Sequence, residues 1–207
     1  MPTWPKEVDI AITRNLRALV GAAHTLVAAQ EGAARRFYAD WPQHLTARPQ
    51  VAKSLPVTHA LDGIGRFAVP ATNVLVQNIQ RLARHFEWRQ TYVSGDFGER
   101  FLQCYGWSEW IGRRGIFDSD RIACGVLLLA ADTEYPAHSH EAEEIYLPLA
   151  GSALWKSRDS PWIIRAPGEC IHHPPWMPHA MRTRREPLLA LYVWRSGDLT
   201  ARSRIEP

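Results

Sequence analysis

The hydrophobic positions of the chain change period part way along its length. From Ile12 the apolar residues recur as Leu16, Leu19, Val20, Ala23, Leu26 and Val27, the three-and-four spacing of a helix that buries one face, and Gly32 stands where a C-terminal cap fits. Proline then recurs at Pro42, Pro49, Pro56 and Pro70, which predicts short helices and loops between them rather than one long element. Thr72 is a candidate cap for a second helix, whose stripe is Leu75, Ile79, Leu82 and Phe86. After about Ile116 the pattern turns to short β-type runs, at residues 124–130, 145–150, 162–166 and 188–194. Tyr135-Pro136, Gly151, Asp159-Ser160-Pro161, Pro167-Gly168 and Pro174-Pro175 break these runs at spacings typical of antiparallel sheets closing into a barrel. The expectation is a mainly β chain with an N-terminal α part: residues 1–115 form a helical region packed on a barrel of residues 116–207, as one compact unit.

Composition narrows the partners. At 207 residues with 46% hydrophobic content the chain can bury a core without disulfides or a structural metal. The formal charge of +3 is spread among interleaved acids, so no basic stripe marks a nucleic-acid surface. The three cysteines, Cys104, Cys124 and Cys170, are far apart and lack the spacing of a zinc knuckle or redox pair; they read as reduced thiols. The first nine residues carry Trp4, two prolines and acids where a signal peptide needs a basic start and an apolar run. No apolar stretch is long enough for a membrane span. A cytoplasmic protein is expected, with no nucleic-acid or membrane partner.

Five of the nine histidines lie between His138 and His179. On a strand, residues two apart share a face, so His138 and His140 present two imidazoles to one point, and Glu144 and Tyr146 obey the same rule. A tight turn at residues 141–143 would return Glu144 beside the histidines, giving two nitrogens and a carboxylate oxygen around one ion. A third imidazole has three rivals in the downstream segment, His172, His173 and His179. His24, His44, His59 and His85 have no neighbours at ligand spacing.

The run HxHxxxE, six further residues and Gly151, then Pro167-Gly168 and a histidine after a proline-rich stretch, resembles the cupin superfamily. The glycine often found before the first histidine of that motif is absent. Pro174-x-x-x-Pro178-His179 resembles the longer form of the second cupin motif and so favours His179 over His172 and His173, which then bond locally or lie at the barrel rim. The resemblance implies a cupin barrel, that is a double-stranded β-helix or jelly-roll, holding one divalent transition metal (Zn, Fe, Mn, Co or Ni) through His138, His140, Glu144 and His179. It also admits a homodimer.

Tyr135-Pro-Ala-His138-Ser-His140-xxx-Glu144-Ile-Tyr146 is similar more narrowly to the cupin-type dimethylsulfoniopropionate lyases, small proteins with a helical portion ahead of a metal-binding barrel. That likeness implies elimination of dimethyl sulfide from a small zwitterionic carboxylate to leave acrylate, with Tyr146 as the base. Tyr135 is a second candidate, as base, as donor to the substrate carboxylate, or as the group that orients Tyr146. A sulfonium favours aromatic walls, and Trp155, Trp162, Trp176 and Trp194 fall in the barrel half. Two other classes fit the same barrel: an oxygenase or isomerase acting on another small carboxylate, and a non-catalytic metal- or ligand-binding cupin.

Overall fold

Each long strand of this protein feeds two cores at once. In the computed structural model, which describes residues 10–206, the strands are β1 (Tyr105–Ile111), β2 (Ile122–Leu129), β3 (Glu134–Ser139), β4 (Glu143–Ala150), β5 (Ala153–Ser157), β6 (Ile163–Arg165), β7 (Ile171–His173), β8 (His179–Thr183), β9 (Leu188–Arg195) and β10 (Arg204–Ile205). The reading of the N-terminal nine residues lies outside the described residues. Two five-stranded antiparallel sheets result, in the orders β1-β2-β9-β4-β7 and β10-β3-β8-β5-β6, the jelly-roll expected of a cupin barrel with helices ahead of it.

The helices are α1 (Ile10–Ala28), α2 (Ala34–Ala39), α3 (Pro70–Leu82) and α4 (Ser94–Gln103). Alternation along β4 and β9 explains why their sequences read as unbroken apolar runs. Ile145, Leu147, Leu149, Leu189, Leu191 and Val193 point out of the barrel and pack with Leu16, Leu19, Val20 and Val27 of α1 and Leu75, Val76 and Ile79 of α3. Tyr146, Leu188, Ala190 and Tyr192 point into it and meet Trp155 and Met181 of the other sheet. Fully burying each large aliphatic side chain of the outer layer contributes ~1.5–3 kcal/mol, so the helices are part of the fold's stability.

Three local expectations shift. The first helix stops at Ala28, and Gly32 lies beyond it with φ +64° in the turn that leads to α2. The second helix starts at Pro70, so Thr72 sits inside its first turn; there its hydroxyl accepts the Val69 N–H at 3.2 Å and donates to the Leu149 carbonyl at 2.6 Å, pinning α3 to β4. The first strand begins at Tyr105, in the region expected to be helical; its alternating bulky and small residues pair antiparallel with β2. Gly151 ends β4 with φ +77°, and a side chain there would meet the Pro187 carbonyl at 1.9 Å.

Ion pairs clamp α2 to the barrel. Asp40, just past α2, accepts from Arg195 at 2.6 Å and Arg121 at 2.9 Å. Glu143 accepts from Arg36, from Arg195 at 2.5 Å and from His172 at 2.8 Å. Burial alone would raise the Asp40 carboxyl, but the hydrogen bonds from Arg195 and Arg121 outweigh it and hold the pKa below 3.8. A carboxylate with a depressed folded pKa adds stability that is present above its unfolded value and lost as pH falls through the folded one. Asp40→Asn should therefore lower the melting temperature at pH 7 by about 2–4 °C, for a loss of about 1 kcal/mol in this partly exposed pair. The gap between variant and wild type should close as pH falls through the depressed folded pKa of Asp40, where the carboxylate is itself protonated; a gap that persists in acid excludes the charge as its cause.

Candidate active site

The inward-facing side chains of β1, β4 and β9, with His138 from β3, line a cavity of about 350 Å³. Glu144 is fully buried on β4, with register partners Trp194 on β9 and His173 on β7. His140 follows the end of β3, and the short turn at residues 141–142 brings Glu144 back against it, His140 Nε2 to Glu144 Oε2 being 3.0 Å. His179 opens β8 opposite His138, and its Nε2 lies 3.3 Å from the same carboxylate oxygen. The ligand atoms of His140, Glu144 and His179 all lie within 4.8 Å of one another.

The protonation pattern of these rings is set by the backbone. His138 Nδ1 faces the Pro136 carbonyl at 2.9 Å, His140 Nδ1 the Ala142 carbonyl at 2.9 Å, and His179 Nδ1 the Met177 carbonyl at 2.8 Å. A carbonyl can only accept, so in each neutral ring Nδ1 carries the proton and Nε2 keeps a lone pair. Lone pairs on His140 and His179 then face a carboxylate, an arrangement that repels unless positive charge stands between them. His179 Nε2 is also buried, with no hydrogen-bond partner among the described residues. Two donors about 2.0–2.1 Å from one tetrahedral ion lie roughly 3.3 Å apart, close to the 3.0 and 3.3 Å from the Glu144 oxygen to His140 and His179. The donor set therefore fits a divalent ion of the zinc, iron, manganese, cobalt or nickel kind.

Charge agrees with that reading. Burial opposes ionisation of Glu144, and positive charge on the His140 and His179 side outweighs it and holds the carboxyl far below the usual carboxylate range. Burial, followed by the nearby His179, pushes the His138 pKa well down and keeps the ring neutral. His138 does not join the three-residue group at 4.8 Å, although its ring centroid is 4.2 Å from that of His179. Trp194 donates from Nε1 to Glu144 Oε1 at 2.5 Å and packs on His140 at 4.1 Å. Trp194→Phe removes that donor and should weaken metal retention by about 10–100-fold in a chelator competition with the fold intact; retention equal to wild type would show that the indole only packs.

Tyr146 is 5% exposed, in the cavity, with its ring 6.3 Å from that of His179. Burial, then the Glu144 charge, pushes its pKa well above 10, so in this environment the hydroxyl is held protonated. Tyr135 stacks on His138 at 4.1 Å, donates to the Tyr92 hydroxyl at 3.3 Å and lies 3.5 Å from the Tyr105 hydroxyl. Its ring thus backs a histidine, within an aromatic group from α4 and β1.

His173 is not at the rim. It is fully buried and stacks on His179 at 4.0 Å, whereas its neighbour His172 turns outward to Glu143. His24 stacks between Tyr38 and Trp41, and none of His24, His44, His59 and His85 lines the cavity. Of the four tryptophans in the barrel half only Trp194 lines it; Trp162 and Trp176 lie under Arg182 and Arg204, and Trp155 packs on Tyr146. Tyr105, Trp107, Glu109 and Tyr192 also line the cavity and escaped the sequence reading. Their signal was the same two-residue alternation, Tyr105-x-Trp107-x-Glu109 on β1 and Tyr192-x-Trp194 on β9.

No helix among the described residues is long and apolar enough to cross a membrane. The sequence profile of the dimethylsulfoniopropionate (DMSP) lyase family matches residues 29–190. DddQ of Ruegeria pomeroyi, named a dimethylsulfoniopropionate lyase, is 33% identical over 186 residues, 90% of either chain. DddL of Cereibacter sphaeroides, named a putative dimethylsulfoniopropionate lyase, is 30% identical over 122 residues, 58% of this chain and 50% of that one. The crystal structure of DddQ from Ruegeria pomeroyi superposes with a TM-score of 0.84 at 31% identity, over 93% of this chain and 96% of that one. A chain from the crystal structures of the DMSP lyases RdDddP and RnDddQII reaches 0.85 at 31% identity, covering 95% and 100%. A matching profile over most of the length, together with these relatives and the jelly-roll that holds the His/Glu group, shows that the chain belongs to the dimethylsulfoniopropionate lyase family of carbon–sulfur lyases.

Proposed function

We propose that the chain cleaves dimethylsulfoniopropionate to dimethyl sulfide and acrylate by β-elimination, with one divalent transition metal held by His138, His140, Glu144 and His179 and with Tyr146 as the base. The observation that carries this reading is that Tyr146 lines one cavity with Glu144 and His138, while the Nε2 atoms of His140 and His179 face the Glu144 carboxylate. His138 is included because its Nδ1 is committed to a carbonyl and its ring lies against His179. A bound divalent ion supplies Lewis-acid polarisation of the substrate carboxylate, which acidifies the adjacent carbon.

As the substrate binds, Tyr146 gives its own proton to solvent, and the resulting phenolate takes the proton from the carbon next to the carboxylate. The electron pair of that C–H bond becomes the new carbon–carbon double bond, and the C–S bond breaks with its pair leaving on neutral dimethyl sulfide. The proton taken from carbon restores the Tyr146 phenol. Because burial and Glu144 hold the phenol protonated, the base role depends on positive charge entering the cavity, which the sulfonium substrate itself brings. Tyr135 acts through His138, whose ring it backs, and not as the base. The test is headspace detection of dimethyl sulfide from purified, metal-assayed protein given dimethylsulfoniopropionate. Release that scales with metal content supports the reaction; none from metal-replete protein overturns it.

A further inference from the structure

Three strand steps along the sheet from β4 stands a carboxylate that the reaction above does not use. Glu109 is 3% exposed, lines the cavity, and among the described residues has no Lys, Arg or His nitrogen within 4.0 Å. Oε1 accepts the backbone N–H of Arg114 at 2.6 Å. The Gly115 N–H also supports the carboxylate, and Arg114 and Arg89 act on it through space without pairing with it: Arg114 donates to the Thr200 carbonyl and sits over Trp107, and Arg89 pairs with Glu87 at 2.6 Å. A buried carboxylate without a counter-ion is costly, and such groups are normally paired.

The sheet places this carboxylate in one transverse row with the proposed base: Glu109 pairs with Gly125, Gly125 with Tyr192, and Tyr192 with Tyr146. The row covers about 14 Å of backbone at ~4.8 Å per strand. Gly125 contributes no side chain to it, because the Ser108 carbonyl of β1 lies 1.9 Å from where a Cβ would stand. Trp107 shares the Glu109 face of β1 and lines the same cavity.

We propose that Glu109, with the rings of Trp107 and Tyr192, forms a subsite for the cationic end of a zwitterionic substrate, opposite the histidine group that takes its carboxylate. The proposal rests on the lyase reading for the identity of that cation, a sulfonium. A fully alkylated onium centre has no N–H to donate, so charge and aromatic faces are what can recognise it. Glu109 thereby distinguishes a sulfonium from a neutral thioether of nearly the same shape. Burial pushes the Glu109 carboxyl up in the absence of such a ligand, and an arriving cation favours its ionised form.

The experiment compares wild type with Glu109→Gln, both metal-assayed and with matched melting curves. The probes are dimethylsulfoniopropionate as substrate and methylthiopropionate as competitor. The expected result is a KM for the sulfonium raised about tenfold or more, with the competitor's inhibition constant unchanged. Equal weakening of both probes assigns Glu109 to bracing the turn after β1 and overturns the proposal, as does no change in either. If wild type releases no dimethyl sulfide, the lyase reading falls, and equilibrium binding of the two probes decides the subsite on its own. Preference for the sulfonium that Glu109→Gln removes upholds it; equal or absent binding overturns it.

Discussion

Tyr146→Phe is expected to remove nearly all dimethyl sulfide release, a drop of roughly 10²–10⁴-fold, the usual contribution of one positioned proton-transfer group, while metal content and melting temperature stay at wild-type values. The reasoning is geometric. Phenylalanine keeps the ring that packs on Trp155 at 5.1 Å and faces His173 at 6.1 Å, so the barrel interior is unchanged. Only the hydroxyl is lost. Single-turnover measurement at saturating substrate separates the alternatives: an unchanged rate with a raised KM would make Tyr146 a binding residue, and turnover within tenfold of wild type would leave it as core packing.

Glu144→Ala is expected to act on the metal itself. The carboxylate lies within 3.3 Å of both His140 Nε2 and His179 Nε2, and it also accepts from Trp194. Its removal should cost more metal affinity than the roughly 10–100-fold of a change outside the ligand set, leaving protein purified without added metal close to metal-free. Plasma emission measurement against protein concentration checks this, and full stoichiometry in the variant would overturn the ligand assignment. Stability should respond as well. The carboxyl of Glu144 is held far below the usual range, so its charge adds stability at neutral pH, and its removal leaves the Trp194 N–H without its acceptor; the metal-free variant should melt below metal-free wild type and no longer gain from added metal.

Much of this site was legible because β-structure has a period of two. His138 could be paired with His140, and Glu144 with Tyr146, on shared faces from spacing alone, and α1 and α3 could be placed from their apolar stripes. What stayed hidden had physical causes. β4 and β9 are apolar on both faces because helices cover the outside of the barrel, so their sequences do not announce which residues look inward. β1 mixes Gly106, Ser108 and Glu109 with Tyr105, Trp107 and Trp110, a pattern that reads as turn-like until β2 is there to pair with it. His172 and His173 are adjacent and chemically identical, and only the register of β7 against β4 decides that His173 faces in and His172 out. A carboxylate such as Glu109, read from sequence, looks like an ordinary surface acid.

The imidazoles of His138, His140 and His179 are each oriented by a carbonyl two residues away in the chain, at Pro136, Ala142 and Met177. A carbonyl belongs to the backbone and survives every substitution. The aim of these rings is therefore stored where point mutation cannot erase it, and the side chains at 136, 142 and 177 are free to drift so long as the local backbone path is kept. Among relatives of this chain, the residues that orient the histidines should vary more than the histidines themselves, the reverse of sites in which an aspartate or glutamine does the orienting.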